Sequence, residues 1–229
     1  MATYRPSLQR GHAQHGWLDS YHTFSFADFH DPKWMEFSTL RVINEDVVAP
    51  GMGFGMHPHR DMEIITWVLA GRLHHKDSLG NSADIVPGEF QRMTAGTGIV
   101  HSEFNPSSTE PVHLLQIWLQ PNRRGLPPGY AQQAFPLDRG FRTLGSHDGR
   151  AGSLMLNSDA ALSVARLAAG ESAPLPVQPG RRAWIQVAKG AVRCGSHTLT
   201  QGDGLALEPG EGGALTASEA SEVLVFDLP

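Results

Sequence analysis

The sequence predicts an all-β protein of sandwich or barrel type, built as two similar halves. Three observations carry this expectation. Glycine and proline are frequent, at 25 and 16 residues, and they separate short segments rich in Val, Ile, Leu, Phe and Trp. No long segment keeps a clean 3.6-residue period, which argues against amphipathic helices. The second half also echoes the first, with glycines in the same order and nearly the same spacing.

The strands are expected in sequence from Phe37 to Ile43, Phe54 to His59, Glu63 to Leu69 and Arg72 to Lys76. Ser78-Leu-Gly-Asn81 and Pro87-Gly88 read as turns. Phe90 to Met93, Ile99 to Phe104 and Leu114 to Leu119 complete the first set. Pro121 to Pro136 then breaks the pattern with Arg123-Arg-Gly and Pro127-Pro-Gly129. Proline fixes φ and removes a donor, so a ladder is not expected there. Tyr130 to Phe135 reads as a single helical turn within that connection. The expected organisation is a first barrel with an N-terminal extension over 1–120, a linker over 121–136 and a second barrel over 137–229.

The repeat is specific enough to align. Val68-Leu-Ala-Gly71-Arg-Leu73 resembles Val187-Ala-Lys-Gly190-Ala-Val192, and Pro87-Gly88-Glu89 resembles Gln201-Gly202-Asp203. Ala95-Gly96-Thr-Gly98 resembles Pro209-Gly210-Glu-Gly212, and Leu115 to Trp118 resembles Val223 to Phe226. A tight turn needs φ > 0 at the same place in each unit, which keeps the glycines in step.

Composition bounds the function. The formal net charge is -5 and the pI about 6.2, with no basic stripe to follow a phosphate backbone, so direct nucleic-acid binding is not expected. The single Cys194 has no internal disulfide partner and fits a reducing compartment. The N-terminal residues are polar, and the longest apolar run, Ile64 to Ala70, is too short for a bilayer. A cytoplasmic, membrane-free and monomeric protein is the expectation.

The chemistry concentrates between Gly51 and Asn105. His57-Pro-His59 and His101-Ser-Glu103 are two pairs of donors, each with a spacing of two. In a strand, residues i and i+2 share a face, so each pair can aim at one point. If the two strands lie close, three imidazoles and one carboxylate surround a single cation. Such donors suit iron, manganese, cobalt, nickel, copper or catalytic zinc, and leave positions open on an octahedral ion.

These segments resemble the two cupin motifs. Gly51-Met-Gly-Phe-Gly-Met-His57-Pro-His59-Arg-Asp-Met-Glu63, followed by Gly71, is similar to the first, and Gly96-Thr-Gly98-Ile-Val-His101-Ser-Glu103-Phe-Asn105 to the second. Gly96 stands where cupins usually have proline. Many cupins ligate through the glutamate of the first motif, here Glu63. The pirin family instead uses His-x-His with His-x-Glu, and the chain resembles pirins also in Thr23-Phe-Ser-Phe-Ala-Asp28 and Leu40-Arg-Val-Ile-Asn-Glu45. The resemblance implies a bicupin of two antiparallel, jelly-roll-like β-barrels and one divalent metal on His57, His59, His101 and Glu103, iron(II) first. It also implies quercetin 2,3-dioxygenase activity, in which a small aromatic flavonol binds through its 3-hydroxyl and reacts with O2. Glu103 would then be both ligand and base. Two rivals are a redox-responsive regulator acting on a protein partner and a different cupin enzyme.

The other donors carry plainer expectations. Glu63 is assigned a supporting role. His74 and His75 are adjacent and face opposite sides of a strand, so they are not expected to share a metal. His113 begins an apolar strand and is a further candidate for the neighbourhood of the pocket. His12, His15, His22 and His30 lie in the N-terminal segment, expected to cover one barrel. Aligned on the glycines, His101 and Glu103 fall on Leu215 and Ala217, and His57 and His59 near Pro176 and Gln178, so the second barrel lacks these donors.

Overall fold

The structure is a computed structural model that describes residues 1–138 and 140–229. Among them, helical structure is limited to two short 3-10 turns, Ser7–Gln9 and Arg150–Gly152. In chain order the first strands are β1 (Thr3–Arg5), β2 (Gly11–Gln14), β3 (Leu18–His22), β4 (Leu40–Val48) and β5 (Gly53–His59). Next come β6 (Glu63–Ala70), β7 (Leu73–Asp77), β8 (Ser82–Ile85), β9 (Glu89–Thr94), β10 (Ile99–Phe104), β11 (Val112–Leu119) and β12 (Gly129–Ala134). Then follow β13 (Gly140–Ser146), β14 (Leu154–Met155), β15 (Ala161–Leu167), β16 (Ser172–Pro174) and β17 (Arg182–Lys189). The last are β18 (Ala191–Cys194), β19 (His197–Thr200), β20 (Gly204–Leu207), β21 (Ala214–Ala217) and β22 (Ser221–Leu228).

These strands form two compact units. One comprises Gly11–Glu36 and Leu40–Phe135, and the other Met1–Arg10, Phe37–Thr39 and Pro136–Pro229. The first unit has a seven-stranded sheet, β12-β9-β6-β11-β4-β3-β2, and a four-stranded sheet, β5-β10-β7-β8. The second has the sheets β1-β20-β17-β22-β15-β13-β14 and β16-β21-β18-β19. The order β9-β6-β11-β4 is answered by β20-β17-β22-β15, and β5-β10-β7-β8 by β16-β21-β18-β19. The internal repeat is therefore a repeat of topology.

Inside the first unit the buried side chains of the two sheets sort into three layers. Val48, Val68, Leu73, Ile85, Val112 and Leu114 form one apolar cluster, and Ile64, Met93, Ala95 and Ile99 another. Between them runs a polar row, because the pairing aligns His22 with Asn44, Asn44 with Gln116, Gln116 with Thr66 and Thr66 with Gln91. All five are buried. Burying polar groups is costly unless they find partners, so such a row marks where the barrel serves something other than packing.

Several details differ from the sequence expectation. Gly129–Ala134 is a strand paired with β9, not a helical turn in a linker. Pro127 and Pro128 precede it, so the run that pairs is free of proline and forms the sheet edge. The N-terminal segment is divided: β1 pairs with β20 in the second unit, whereas β2 and β3 extend the large sheet of the first. The repeat alignment moves by two residues at the last motif. Glu103 lies opposite His75, and Leu215 lies opposite Cys194, the residue aligned with His75 by the shared Gly71 and Gly190. Leu215 thus answers Glu103, and Gly213 answers His101. Neither offers a side-chain donor, and Leu215, Ala217 and Cys194 belong to the apolar core of the second unit. Burial raises the Cys194 thiol pKa, in keeping with a packing role.

Candidate metal centre

β5 and β10 form the centre. They pair antiparallel with His57 opposite His101, His59 opposite Ile99 and Phe54 opposite Glu103. The register shifts between His101 and Glu103, so Gly55 and Met56 of β5 fall at a bulge. A bulge bends its strand and re-aims the side chains beside it. Here both imidazoles of β5 turn towards His101. The ring centroids of His57 and His101 are 4.4 Å apart, those of His57 and His59 4.8 Å, and those of His59 and His101 4.9 Å. The structure places one donor atom from each of the three within 4.8 Å of the others.

Glu103 stands in a second, overlapping group. Its carboxylate, one nitrogen of His101 and one of His75 also lie within 4.8 Å of one another. His101 is common to both groups. Glu103 lines the same cavity as the three histidines. Thr66 donates to its Oε1 at 3.2 Å and Gln116 Nε2 to its Oε2 at 2.9 Å. The polar row of the large sheet therefore reaches across the barrel and fixes the carboxylate.

The electrostatics keep the His59 and His101 imidazoles neutral. Burial lowers the His101 pKa to about 3, helped by His57 and His75. Burial also lowers that of His59 to about 4, with His101 and His57 adding to the effect and Glu103 opposing it. A neutral imidazole has the lone pair that a metal needs. His57 Nδ1 lies 2.7 Å from the Gly55 carbonyl, which can only accept, so the proton sits on Nδ1 and Nε2 is left as donor to a metal. Both ring nitrogens of His101 are buried without a hydrogen-bond partner. An imidazole left so is costly by itself and fits a cation well. These residues fit a divalent transition metal.

The cavity they open into measures about 550 Å³. Phe26, Phe29, Phe54, Ile64 and Trp118 give it apolar walls, and His59 meets Trp118 edge-on at 5.0 Å. The wall formed by β3 and β4 is polar. Ser20 Oγ donates to Asp46 Oδ1 at 2.5 Å and lies 2.9 Å from His22 Nε2. Burial raises the Asp46 pKa to about 7, against the Ser20 hydrogen bond and with Glu103 and Glu45 adding to the rise.

The structure separates the remaining candidates. His75, not expected at the site, is fully buried beside His101 and Glu103, stacks on Tyr130 with centroids 4.8 Å apart and lies 3.1 Å from Asp77 Oδ2. Its neighbour His74 points the other way, to Asp84 at 2.6 Å. The expectation that the two face opposite sides holds; the site takes His75 alone. Glu63 is buried on β6 away from the cavity, and its charge partly offsets the effect of burial on Arg92. His113 pairs with Glu45 at 2.9 Å and does not line the cavity. His12, His15 and His22 do line it, which the sequence reading missed. Alternation along β3 (Ser20, His22) and β4 (Asn44, Asp46) was the available signal, at the same spacing of two that marked the other donors.

Two jelly-roll units, one with converging imidazoles and a carboxylate at a cavity, define a bicupin with a metal centre. The chain belongs to the pirin family: the Pirin family model matches residues 4–119, and the model for the quercetinase C-terminal cupin domain matches residues 143–228. A protein of Escherichia coli strain K12 named quercetin 2,3-dioxygenase is 50% identical over 225 residues, covering 98% of this chain and 97% of its own. The crystal structure of YhhW from Escherichia coli superposes with a TM-score of 0.97 at 49% identity, covering 100% of this chain and 98% of that one. A structure of bacterial pirin YhhW from Escherichia coli in complex with nickel(II) gives 0.95 at 49% identity, covering 100% and 99%.

Proposed function

We propose that the protein is a metal-dependent dioxygenase of the pirin type that acts on a flavonol or similar aromatic substrate with O2, as a quercetin 2,3-dioxygenase. One observation carries the reading: the His57, His59 and His101 imidazoles and the Glu103 carboxylate line one apolar-walled cavity of about 550 Å³. Cavities of this size suit drug-sized ligands. The relative named quercetin 2,3-dioxygenase, at 50% identity, supports the same activity.

In this reading His57, His59, His101 and Glu103 hold one divalent metal, with iron(II) the first choice and nickel, manganese, cobalt, copper and zinc the alternatives. When bound, the metal supplies Lewis acidity that favours an ionised substrate hydroxyl. The residues supply the rest. Phe26, Phe29 and Trp118 take the ring faces and exclude water. Glu103, steadied by Thr66 and Gln116, receives the proton of the flavonol 3-hydroxyl at a carboxylate oxygen. General base action of this kind contributes about 10²–10⁴-fold. His75 backs His101 and Glu103, its ring held between Tyr130 and Asp77.

The test is metal analysis of protein purified without added metal, with quercetin turnover measured on the same sample before and after loading with each divalent metal. Turnover that follows bound metal is expected. No turnover with any of these metals would sink the reading and favour a non-catalytic regulator.

A further inference from the structure

We propose that Ser20, Asp46 and Asn44 form a hydroxyl-recognition subsite on the wall of the cavity made by β3 and β4. The substrate would then carry a hydrogen-bonding hydroxyl well away from the group that meets Glu103. This inference rests on the reading above that the cavity is where the substrate binds.

The wall is built for a donor. Ser20 Oγ spends its proton on Asp46 Oδ1, so His22 Nε2 donates to Ser20. Asn44 lines the cavity, and its amide oxygen is buried without a hydrogen-bond partner, so a guest's hydroxyl reaches it once the amide shifts. Asn44 is only 4% exposed, as is Asp46, so bulk water does not satisfy them. The Gln116 amide oxygen, next along the row, is likewise without a partner. Acceptors buried in this way cost free energy until a donor arrives. An apolar guest leaves them unmet, and a hydroxylated guest meets them.

Position separates this wall from the metal centre. Gln116, which holds Glu103, lies on β11; Asn44 and Asp46 lie on β4 and Ser20 on β3, the next two strands of the sheet. Neighbouring strands are about 4.8 Å apart and alternate residues along a strand about 6.8 Å, which sets Ser20 and Asp46 roughly 8–12 Å from Gln116 along the sheet. Asn44 lies directly opposite Gln116 and joins the two polar ends along the row. A planar aromatic compound with hydroxyls at two separated positions matches that pattern. A site that hydrogen-bonds a substrate hydroxyl also rejects the analogue that lacks it.

The experiment compares quercetin with 3-hydroxyflavone, which keeps the 3-hydroxyl and lacks the others. Binding of each to metal-free protein is measured by fluorescence titration, for the wild type, Ser20→Ala and Asn44→Leu. The wild type should bind quercetin at least tenfold more tightly. Each variant should lower that preference by roughly threefold to tenfold, as expected for one lost hydrogen bond. Should Asn44→Leu fail to fold, Ser20→Ala, which removes a single oxygen, decides alone. Equal affinities in the wild type, no binding of either compound, or a preference unchanged in the folded variants would overturn the subsite. Quercetin turnover by metal-loaded wild type, measured in parallel, keeps the two readings apart. A preference without turnover removes the dioxygenase and keeps the subsite, and turnover without a preference does the reverse.

Discussion

Gln116 on β11 donates to the Glu103 carboxylate on β10 at 2.9 Å, bridging the two sheets of the first unit. The bond joins the buried polar row to the metal centre. It makes the orientation of Glu103 depend on a residue that is not itself expected to touch metal.

Gln116→Leu keeps the volume and removes the donor. Supporting hydrogen bonds to ligands are typically worth ~10–100-fold in metal affinity or activity. Metal affinity, read by competition with a chelator, should fall within that range while the fold survives. Unchanged affinity and unchanged turnover per metal would mean that Thr66 alone holds Glu103.

Glu103→Gln keeps the size and one oxygen donor but removes basicity. Turnover of quercetin per bound metal should fall by about 10²–10⁴-fold. Counting per metal separates lost chemistry from lower occupancy. Near-wild-type turnover per metal would take Glu103 out of the proton transfer.

Gly53→Ala tests the approach of β5 to β10. A Cβ at Gly53 would collide with the Glu103 carbonyl and the Phe104 backbone, neither of which can swing away. The substitution should lower stability by about 1–3 kcal/mol and weaken metal binding by displacing His57. Gly55→Ala, where a Cβ meets open space, is the control and should change little. Equal behaviour of the two in thermal melts and metal titrations would refute the close approach.

The metal-free protein should lose stability as pH falls from about 6.5 towards 4. The His59 and His101 pKa values are about 4 and about 3 when folded, against 6.5 for an unperturbed histidine. In that window the unfolded chain takes up protons that the folded one refuses, so stability drops with pH. Asp46 has the opposite sign: its folded pKa of about 7 lies above the ordinary aspartate value of 3.8, so its contribution is present at low pH and lost as pH rises through 7. Asp46→Asn should therefore steepen the decline. Melting temperatures at pH 5 and 7.5 decide it, and a variant with a shallower decline than the wild type would contradict the assignment.

The pairs at His57, His59, His101 and Glu103 were legible because a spacing of two is a local property of a strand. The glycine spacing likewise revealed the repeat. His75 was not legible, since its approach to Glu103 depends on the register between β7 and β10. The strand at Gly129–Ala134 was hidden by the prolines before it, although it pairs with β9 through six residues. The two-residue offset in the last motif, and the bulge that turns His57, arise from pairing across strands. Local pattern reports which face a residue is on; only the long-range ladder reports what it meets there.

The edge strand β1 has a consequence for how the chain is made. Tyr4 hydrogen-bonds Asp203, 199 residues further on, at 2.9 Å, and β1 closes the sheet beside β20. At ~5–20 residues per second, β1 waits roughly 10–40 seconds for its partner to be synthesised. The sheet of the second unit is therefore finished by a segment made long before its partner, and until β20 follows, β1 has no edge to join.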